Sequence, residues 1–201
     1  MTAKTPPRFR RIAPEQRRQS LIEAGLACLA RGGILGFTID NICAEAQVSR
    51  GLITHHFGSK DNLLAAIYEM MIARLMTAVE AEGSGRERIA RFIDASFAAG
   101  TANRDSLKMW LAVWGEVANQ PALLKQHRKQ YARYRSGVEN ALAALAAESR
   151  RDVDVPFTAM MLISLIDGLW LEWCIDPRQI SADDAKAACR KLLEPVFGTI
   201  G

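Results

Sequence analysis

The segment from Thr38 to Phe57, TIDNICAEAQVSRGLITHHF, constrains the fold more than any other part of the chain. Thr38 and Ser49 each precede a short run whose apolar residues recur every three or four positions, and hydroxyl side chains are favoured at helix N-caps. The sequence therefore predicts two short helices joined by a tight turn, a pattern typical of DNA binding. The face that we expect to be buried comprises Ile39, Ile42, Ala46, Val48, Leu52, Ile53, His56 and Phe57.

The other face of the second helix is polar. Its residues are short or forked enough to meet base edges and phosphates in a major groove, and they are Ser49, Arg50, Gly51, Thr54 and His55. A solvated surface charge is the alternative reading of Arg50. His55 and His56 do not predict a metal site, because adjacent helical residues diverge by about 100° and the sequence offers no shared third ligand. We expect His55 to contact DNA and His56 to pack at the helix end.

Charge is concentrated at the same end of the chain. Residues 1–60 contain nine Lys or Arg and four acidic residues, whereas residues 61–201 have a net charge of −1, so the overall charge of +4 comes from the N-terminal third. For residues 4–11 alone a solvated tail is the simpler interpretation, since Pro6 and Pro7 argue against regular structure. Together with the two-helix pattern, the excess of positive charge favours a nucleic-acid partner.

Composition places the chain among water-soluble globular proteins, with 49% apolar residues over 201 positions. The first twenty residues are basic and polar rather than an apolar leader, so we expect a cytoplasmic protein. The most membrane-like stretch, 155–175, is interrupted by Asp167 and Glu172 and is predicted to be a buried helix rather than a membrane span. The four cysteines have no metal-binding spacing and are expected to be reduced core residues, namely Cys28, Cys43, Cys174 and Cys189.

Helical periodicity continues through the rest of the chain, without an alternating strand pattern. Besides the two short helices, helices are predicted at about 14–31, 60–82, 86–99, 105–118, 121–148, 156–175 and 181–197, separated by glycine- and proline-containing breaks. The sequence thus predicts an all-α protein with a basic flexible arm over residues 1–13, a helix-turn-helix domain over 14–74 and a second helical domain over 75–201.

Residues 16–64 resemble the TetR-type one-component regulators. The resemblance rests on a first helix followed by GFTIDNICAEAQVS, a short helix ending in HHF, and GSKDNLL. It implies a three-helix DNA-binding head and a larger helical body that dimerises and holds a small-molecule inducer, with no cofactor. By similarity Thr38 and Lys60 would hold phosphates at helix N-termini, beside the contacts from the second helix.

The chain differs from many members of this family at two positions, and it also resembles one of the family's subgroups in the body. Many relatives have tyrosine where this chain has Thr54, and glycine where it has Gln47. The body segments 107–134 and 164–174 are similar to the BetI subgroup, which represses genes that convert choline to glycine betaine. The similarity implies a homodimer that binds a palindromic double-stranded operator and responds to a quaternary ammonium compound such as choline.

Tryptophans and one acid of the body form the candidate ligand site. Trp110 and Trp114 lie four residues apart on one predicted helix, and Asp167 and Trp170 share a face of a later helix with Trp173 near its edge. Aromatic faces and a carboxylate suit a quaternary ammonium ion, which cannot donate a hydrogen bond. Two alternatives stay open. The tryptophans could be ordinary core residues, and Asp167 could pair with an Arg or Lys from residues 108–135.

Three classes of function follow. The leading hypothesis is a dimeric repressor in which the ligand changes the spacing of two heads that must engage successive major grooves. The last two helices, with small residues such as Gly168, Ala185 and Ala188, are expected to form a four-helix dimer interface. An enzyme using Asp167, Glu172 and His127 is less well supported, because the sequence contains no nucleophile–base pair, phosphate loop or metal motif. A ligand-independent DNA-binding protein and a repressor that answers an unrelated molecule complete the alternatives.

Overall fold

Helices account for most of the chain in a computed structural model that describes residues 13–98 and 103–200. Within those ranges the chain forms nine α-helices and no strand, which confirms the predicted fold class. In chain order they are α1 (Pro14–Gly36), α2 (Ile39–Ala46), α3 (Arg50–Phe57), α4 (Lys60–Glu80), α5 (Gly85–Ser96), α6 (Arg104–Asn119), α7 (Pro121–Ser149), α8 (Val155–Ile175) and α9 (Ala182–Phe197). Residues 1–12 of the predicted arm lie outside the described residues, as does Gly100 between the helices predicted at 86–99 and 105–118.

Polar side chains begin most of these helices where the sequence predicts a start. The Thr38 hydroxyl accepts a hydrogen bond from the backbone N–H of Asn41 at 3.2 Å, and Ser59 accepts one from Asn62 at 3.1 Å. The prediction for Ser49 was half wrong. Ser49 occupies the N-cap position of α3, but its side chain makes no capping hydrogen bond, so its hydroxyl is left available to another partner.

The first helix is interrupted near its predicted end. Gly33 has φ 57° and ψ −150°, outside the helical region, and a further short turn carries α1 on to Gly36. The end predicted for this helix at about residue 31 is therefore followed by a kink at Gly33, and the element ends only at Gly36. Glycine suits this kink because residues with a Cβ rarely adopt a positive φ.

The head is formed by α1, α2, α3 and the first part of α4, packed around a shared apolar core. Ile42, Ile53 and Phe57 are buried as predicted. Ile39 was also predicted to be buried, but its side chain is 39% exposed, so that prediction was wrong. Ile39 is the first residue of α2 and lies at the edge of the core that Ile42 and Cys43 enter one turn later.

Two features join the head to the body. Helix α4 runs without a break from the head into the body, and α1 packs along α6, where the Lys108 ammonium also donates to the Arg31 carbonyl at 3.5 Å. In the body, α5 packs so closely on α7 that a Cβ at Gly85 would lie 2.2 Å from the Leu145 backbone nitrogen. Gly85 is therefore required by the packing of these two helices.

The core contains the four cysteines, which are buried free thiols as predicted. By length and composition alone, α4 and α8 are each apolar enough to cross a membrane. Half of the apolar stretch in α4 and 39% of that in α8 are buried against other helices. Core helices of water-soluble proteins pass the same test, so this is weak evidence for a membrane span.

Candidate nucleic-acid interface and ligand cavity

A residue in the left-handed backbone conformation forms the turn between α2 and α3. Gln47 has φ 53° and ψ 49°, and the N–H of Val48 bonds back to the Cys43 carbonyl at 2.9 Å. This arrangement ends α2 and reverses the chain, so that α3 begins only three residues later. The departure from glycine noted in the sequence therefore falls at the one position of the turn that needs a positive φ.

The turn leaves one face of α3 open to solvent. All five residues predicted to meet DNA from this helix are exposed, namely Ser49, Arg50, Gly51, Thr54 and His55. A Cβ at Gly51 would meet no protein atom within 4 Å, so packing does not require glycine there. The opposite side of the helix is anchored by Ile53 and Phe57, which are buried.

Several basic residues of the head have partners within the protein. Arg50 forms a salt bridge with Asp40, Arg31 forms one with Glu45, and the Arg18 guanidinium lies 5.1 Å from the Phe57 ring centre. Four of the nine basic residues in 1–60 lie outside the described ranges. Within the described residues, Asp40 and Glu45 therefore offset part of the positive charge of the head.

The two residues predicted to hold phosphates occupy helix starts. Lys60 is half-buried at the first position of α4, and its ammonium donates to the Phe37 carbonyl at 3.4 Å and lies over the Phe37 ring. One bond leaves two N–H groups of the ammonium for another acceptor. Thr38 is exposed, and because its oxygen accepts the capping bond, its hydroxyl proton remains available for donation.

The body encloses a cavity of about 190 Å³. Its walls come from α4, α5, α6, α7 and α8, and they comprise Tyr68, Ile72, Leu75, Ser96, Trp110, Trp114, His127, Tyr131, Tyr134, Ile166, Asp167 and Trp170. Four of the five residues predicted for the ligand site thus line one cavity. Trp173 does not, because its indole packs against Phe97 on another side of α8, with ring centres 6.3 Å apart.

Aromatic rings form most of the cavity wall. Trp114 is in ring contact with both Trp110 and Trp170, at centre distances of 5.4 and 6.4 Å. Tyr68 also lines the cavity, meeting Trp110 edge to face at 6.1 Å and stacking on His127 at 5.7 Å. The rings therefore surround the space from several directions, as a cage for a cation requires.

Asp167 supplies a negative charge at this cavity. The carboxyl borders the open space and keeps an exposed side chain, yet the surrounding protein displaces enough water for burial to raise its pKa from 3.8 to about 6. Within residues 13–98 and 103–200, Asp167 has no salt bridge and no hydrogen bond. The alternative in which an Arg or Lys of residues 108–135 pairs with Asp167 is therefore wrong for the described part of the chain.

A polar pair in the cavity wall, Tyr68 and His127, was not predicted as part of the site. The Tyr68 hydroxyl and His127 Nδ1 are 2.7 Å apart, and burial lowers the pKa of His127, which favours its neutral form at pH 7. Tyr131 and Tyr134 were also missed. Tyr131 and Tyr134 follow His127 at helical spacing, and that pattern was the available signal.

Of the three residues named for an enzyme, Asp167 and His127 line the cavity, whereas Glu172 is not among its lining residues. Among the residues that the structure describes, no three His, Cys, Asp or Glu side chains converge as a metal site would require. His127 bonds to a tyrosine rather than to a nucleophile held beside an acid. What the cavity offers is binding: aromatic faces, apolar walls and one carboxylate.

Two sequence profiles of known protein families match separate parts of the chain. The sequence profile described as "Bacterial regulatory proteins, tetR family" matches residues 21–67, and the profile described as "BetI-type transcriptional repressor, C-terminal" matches residues 85–198. Two relatives are named HTH-type transcriptional regulator BetI. The chain is 32% identical to the one from Paraburkholderia phymatum over 88% of this chain and 89% of that protein. It is 35% identical to BetI 1 of Chromohalobacter salexigens over 85% of each.

Solved structures are similar as well. A transcriptional regulator from Pseudomonas aeruginosa PAO1 superimposes with a TM-score of 0.80 at 38% identity, over 94% of both chains. A transcriptional regulator from Saccharomonospora viridis, solved in complex with choline, superimposes with a TM-score of 0.74 at 24% identity, over 90% of this chain and 96% of that one. At that identity the second comparison shows the shared fold.

Proposed function

The chain belongs to the TetR family of bacterial regulatory proteins and has a BetI-type C-terminal domain, and from this premise we propose that choline or a similar quaternary ammonium compound releases it from DNA. The family is one of ligand-responsive, DNA-binding transcriptional repressors rather than enzymes, and its members act as dimers on operators. The proposal adds the identity of the ligand and the residues that bind it.

The observation that carries the proposal is the aromatic cavity with an unpaired carboxylate. A quaternary ammonium ion is attracted by the faces of Trp110, Trp114 and Trp170 and by the charge of Asp167. The choline complex of the Saccharomonospora viridis protein supports the same ligand class on the same fold. We therefore propose that the ammonium group lies among these rings, with Asp167 as its counter-charge.

The charge of the cavity also predicts selectivity. Asp167 is the only Asp, Glu, Lys or Arg among the described lining residues, so a ligand carboxylate would meet no cationic partner there. Choline and betaine aldehyde have no carboxylate, whereas glycine betaine has one. We expect the cavity to prefer the first two, because an unpaired negative charge beside Asp167 is repelled and desolvated.

The DNA contacts are proposed from the exposed face of α3. Ser49, Arg50 and Thr54 present hydroxyl and guanidinium groups that suit base edges and phosphates, His55 extends the same face, and Gly51 allows close approach. Thr38 and Lys60 would hold phosphates at the starts of α2 and α4. We propose a head of residues 14–74, a body of residues 75–201 and action in the cytoplasm, where such an operator is found.

Calorimetry tests the ligand. Wild-type protein should bind choline, and Asp167→Asn, which keeps the shape and removes the charge, should lose most of that affinity. Losing one desolvated tryptophan face in Trp114→Leu removes about 2 kcal/mol, a factor of tens in affinity. Trp173→Leu is the matched control, because Trp173 lies outside the cavity. Absence of heat with wild-type protein would reject choline, and equal affinity in Asp167→Asn would reject the role of the carboxylate.

A further inference from the structure

A second cavity, of about 150 Å³, lies where the head meets the body. Helix α1 of the head contributes one wall, and the remaining walls come from α4, α5 and α6. Its lining comprises Leu26, Met71, Arg74, Leu75, Ala95, Ser106, Met109 and Trp110. Most of these side chains are apolar, and the DNA-binding and choline-binding roles above leave the cavity unused.

Two polar groups at this cavity lack partners within the described chain. Arg74 is exposed and has neither a salt bridge nor a hydrogen bond in residues 13–98 and 103–200. Ser106 is only 7% exposed, and over the same ranges its hydroxyl makes no hydrogen bond, although its backbone N–H bonds to the Asn103 side chain at 2.8 Å. The hydroxyl keeps accessible surface, so it can donate to a molecule bound in the cavity.

The position of Ser106 favours an anion, as the positive charge of Arg74 also does. Ser106 lies in the first turn of α6, a helix of 16 residues, where the helix dipole favours an anion. A guanidinium binds a carboxylate through two parallel N–H donors, and a serine hydroxyl can donate a third hydrogen bond. The two polar residues that line the cavity thus supply donors suited to a carboxylate.

The apolar part limits the rest of the ligand. An apolar cavity of about 150 Å³ accommodates a benzene ring. We propose that this cavity is a second effector site, which binds a small organic monocarboxylate with its carboxylate on Arg74 and Ser106 and its ring or branched chain among Leu26, Met71 and Met109. The proposal is independent of the identity of the ligand in the first cavity.

The two cavities share a wall. Leu75 and Trp110 line both, so a molecule in the second cavity restricts the side chains that the first cavity also uses. Such sharing couples the two sites, and the coupling is reciprocal for the two binding constants. A carboxylate in the second cavity should therefore change the affinity of the first cavity for its cation, and the cation should change the affinity for the carboxylate by the same factor.

Benzoate is the probe, with benzamide as its neutral match. We expect wild-type full-length protein to bind benzoate at least tenfold more tightly than benzamide in calorimetric titrations. Arg74→Gln should remove this preference, because glutamine keeps a polar side chain but carries no positive charge, and Ser106→Ala should weaken benzoate binding severalfold. Thermal unfolding of each variant verifies that it is folded, whatever ligand the first cavity binds.

Methionine methyl NMR locates the probe. Met71 and Met109 line the second cavity but not the first, so benzoate should shift these two resonances in wild-type protein and fail to do so in Arg74→Gln. Equal affinity for benzoate and benzamide, an unchanged preference in Arg74→Gln, the absence of saturable benzoate binding, or shifts confined to other methionines would each overturn the proposal. None of these results bears on choline binding, so failure here is distinguishable from failure of the proposed function.

Discussion

Arg50, the first residue of α3, forms a salt bridge with Asp40 of α2, with its guanidinium Nη2 2.5 Å from the carboxylate Oδ1. Both side chains are largely exposed, at 73% and 64%, so the pair contributes little to stability. The salt bridge instead affects how Arg50 recognises DNA. Asp40 holds the guanidinium on the open face of α3 and offers it a competing anion, so Arg50 must exchange or share this partner when it meets DNA.

Arg50→Ala should weaken operator binding by about 1–3 kcal/mol, because a bidentate contact to a base is lost. Fluorescence anisotropy with labelled DNA measures the effect, and Arg151→Ala, which removes an exposed arginine of the body, is the charge-matched control. Asp40→Asn should act in the opposite direction on random DNA, strengthening binding by removing a negative charge beside the phosphates. Unchanged operator affinity in Arg50→Ala would remove Arg50 from the interface.

Gln47→Gly should raise the melting temperature. Gln47 is held at φ 53°, where a residue with a Cβ is strained by about 1–2 kcal/mol, and glycine relieves that strain at some cost in unfolded-chain entropy. Gln126→Gly within α7 is the control and should be destabilising, since glycine is unfavourable inside a helix. A lower melting temperature for Gln47→Gly would mean that the Gln47 side chain stabilises the turn by more than the strain.

Local patterns in the sequence predicted the helices and the polar face of α3 well, since both depend on caps and spacing within a few residues. Ile39 and Ser49 were exceptions, because exposure at a helix start and the rotamer of a cap depend on packing. The cavity was only half predictable. Trp110 and Trp114 share a helix, whereas Tyr68 reaches the cavity from α4, and Trp173 turns away towards Phe97, which spacing alone does not specify.

Choline affinity should increase about tenfold between pH 5 and pH 7. The ligand needs ionised Asp167, whose pKa is about 6, so the fraction of the charged form increases over this range. His127 and Tyr131 also face the cavity. Protonation of His127 at low pH would repel the cation, and this too would lower choline affinity at low pH. Asp167→Asn should show a much flatter profile in calorimetry. An identical pH dependence in that variant would assign the titration to His127 or another group.

The carboxyl of Asp167 also makes the stability of the folded protein depend on pH. This stability decreases as pH increases, whereas choline affinity increases. Because the folded-state pKa of Asp167 is raised, its protonated form is fully stabilising below the unfolded value of 3.8, and that contribution is lost as pH increases through about 6. Without ligand, Asp167→Asn should therefore melt at a higher temperature than wild type at pH 7, with a smaller difference at pH 4. Thermal unfolding at the two pH values measures this.

Helices α8 and α9 are the proposed dimer interface. On α8, Phe157, Met160 and Ile175 are 51%, 46% and 56% exposed and share one face with Gly168, an arrangement suited to burial against a second copy. Met160→Asp should therefore shift the sedimentation coefficient from dimer to monomer at micromolar concentration. Leu111→Asp is the control, since Leu111 of α6 is similarly exposed at 48% but lies outside this face. A folded wild-type monomer at that concentration would contradict the interface.

Release of DNA by choline tests the central claim most directly. An operator selected from a random-sequence pool with the wild-type protein, labelled for anisotropy and titrated with choline, links the head to the cavity in one assay. We predict that choline displaces wild-type protein from this DNA, that glycine betaine is much less effective, and that Asp167→Asn binds the same DNA but does not respond. Wild-type protein that remains on its operator at saturating choline would contradict the account.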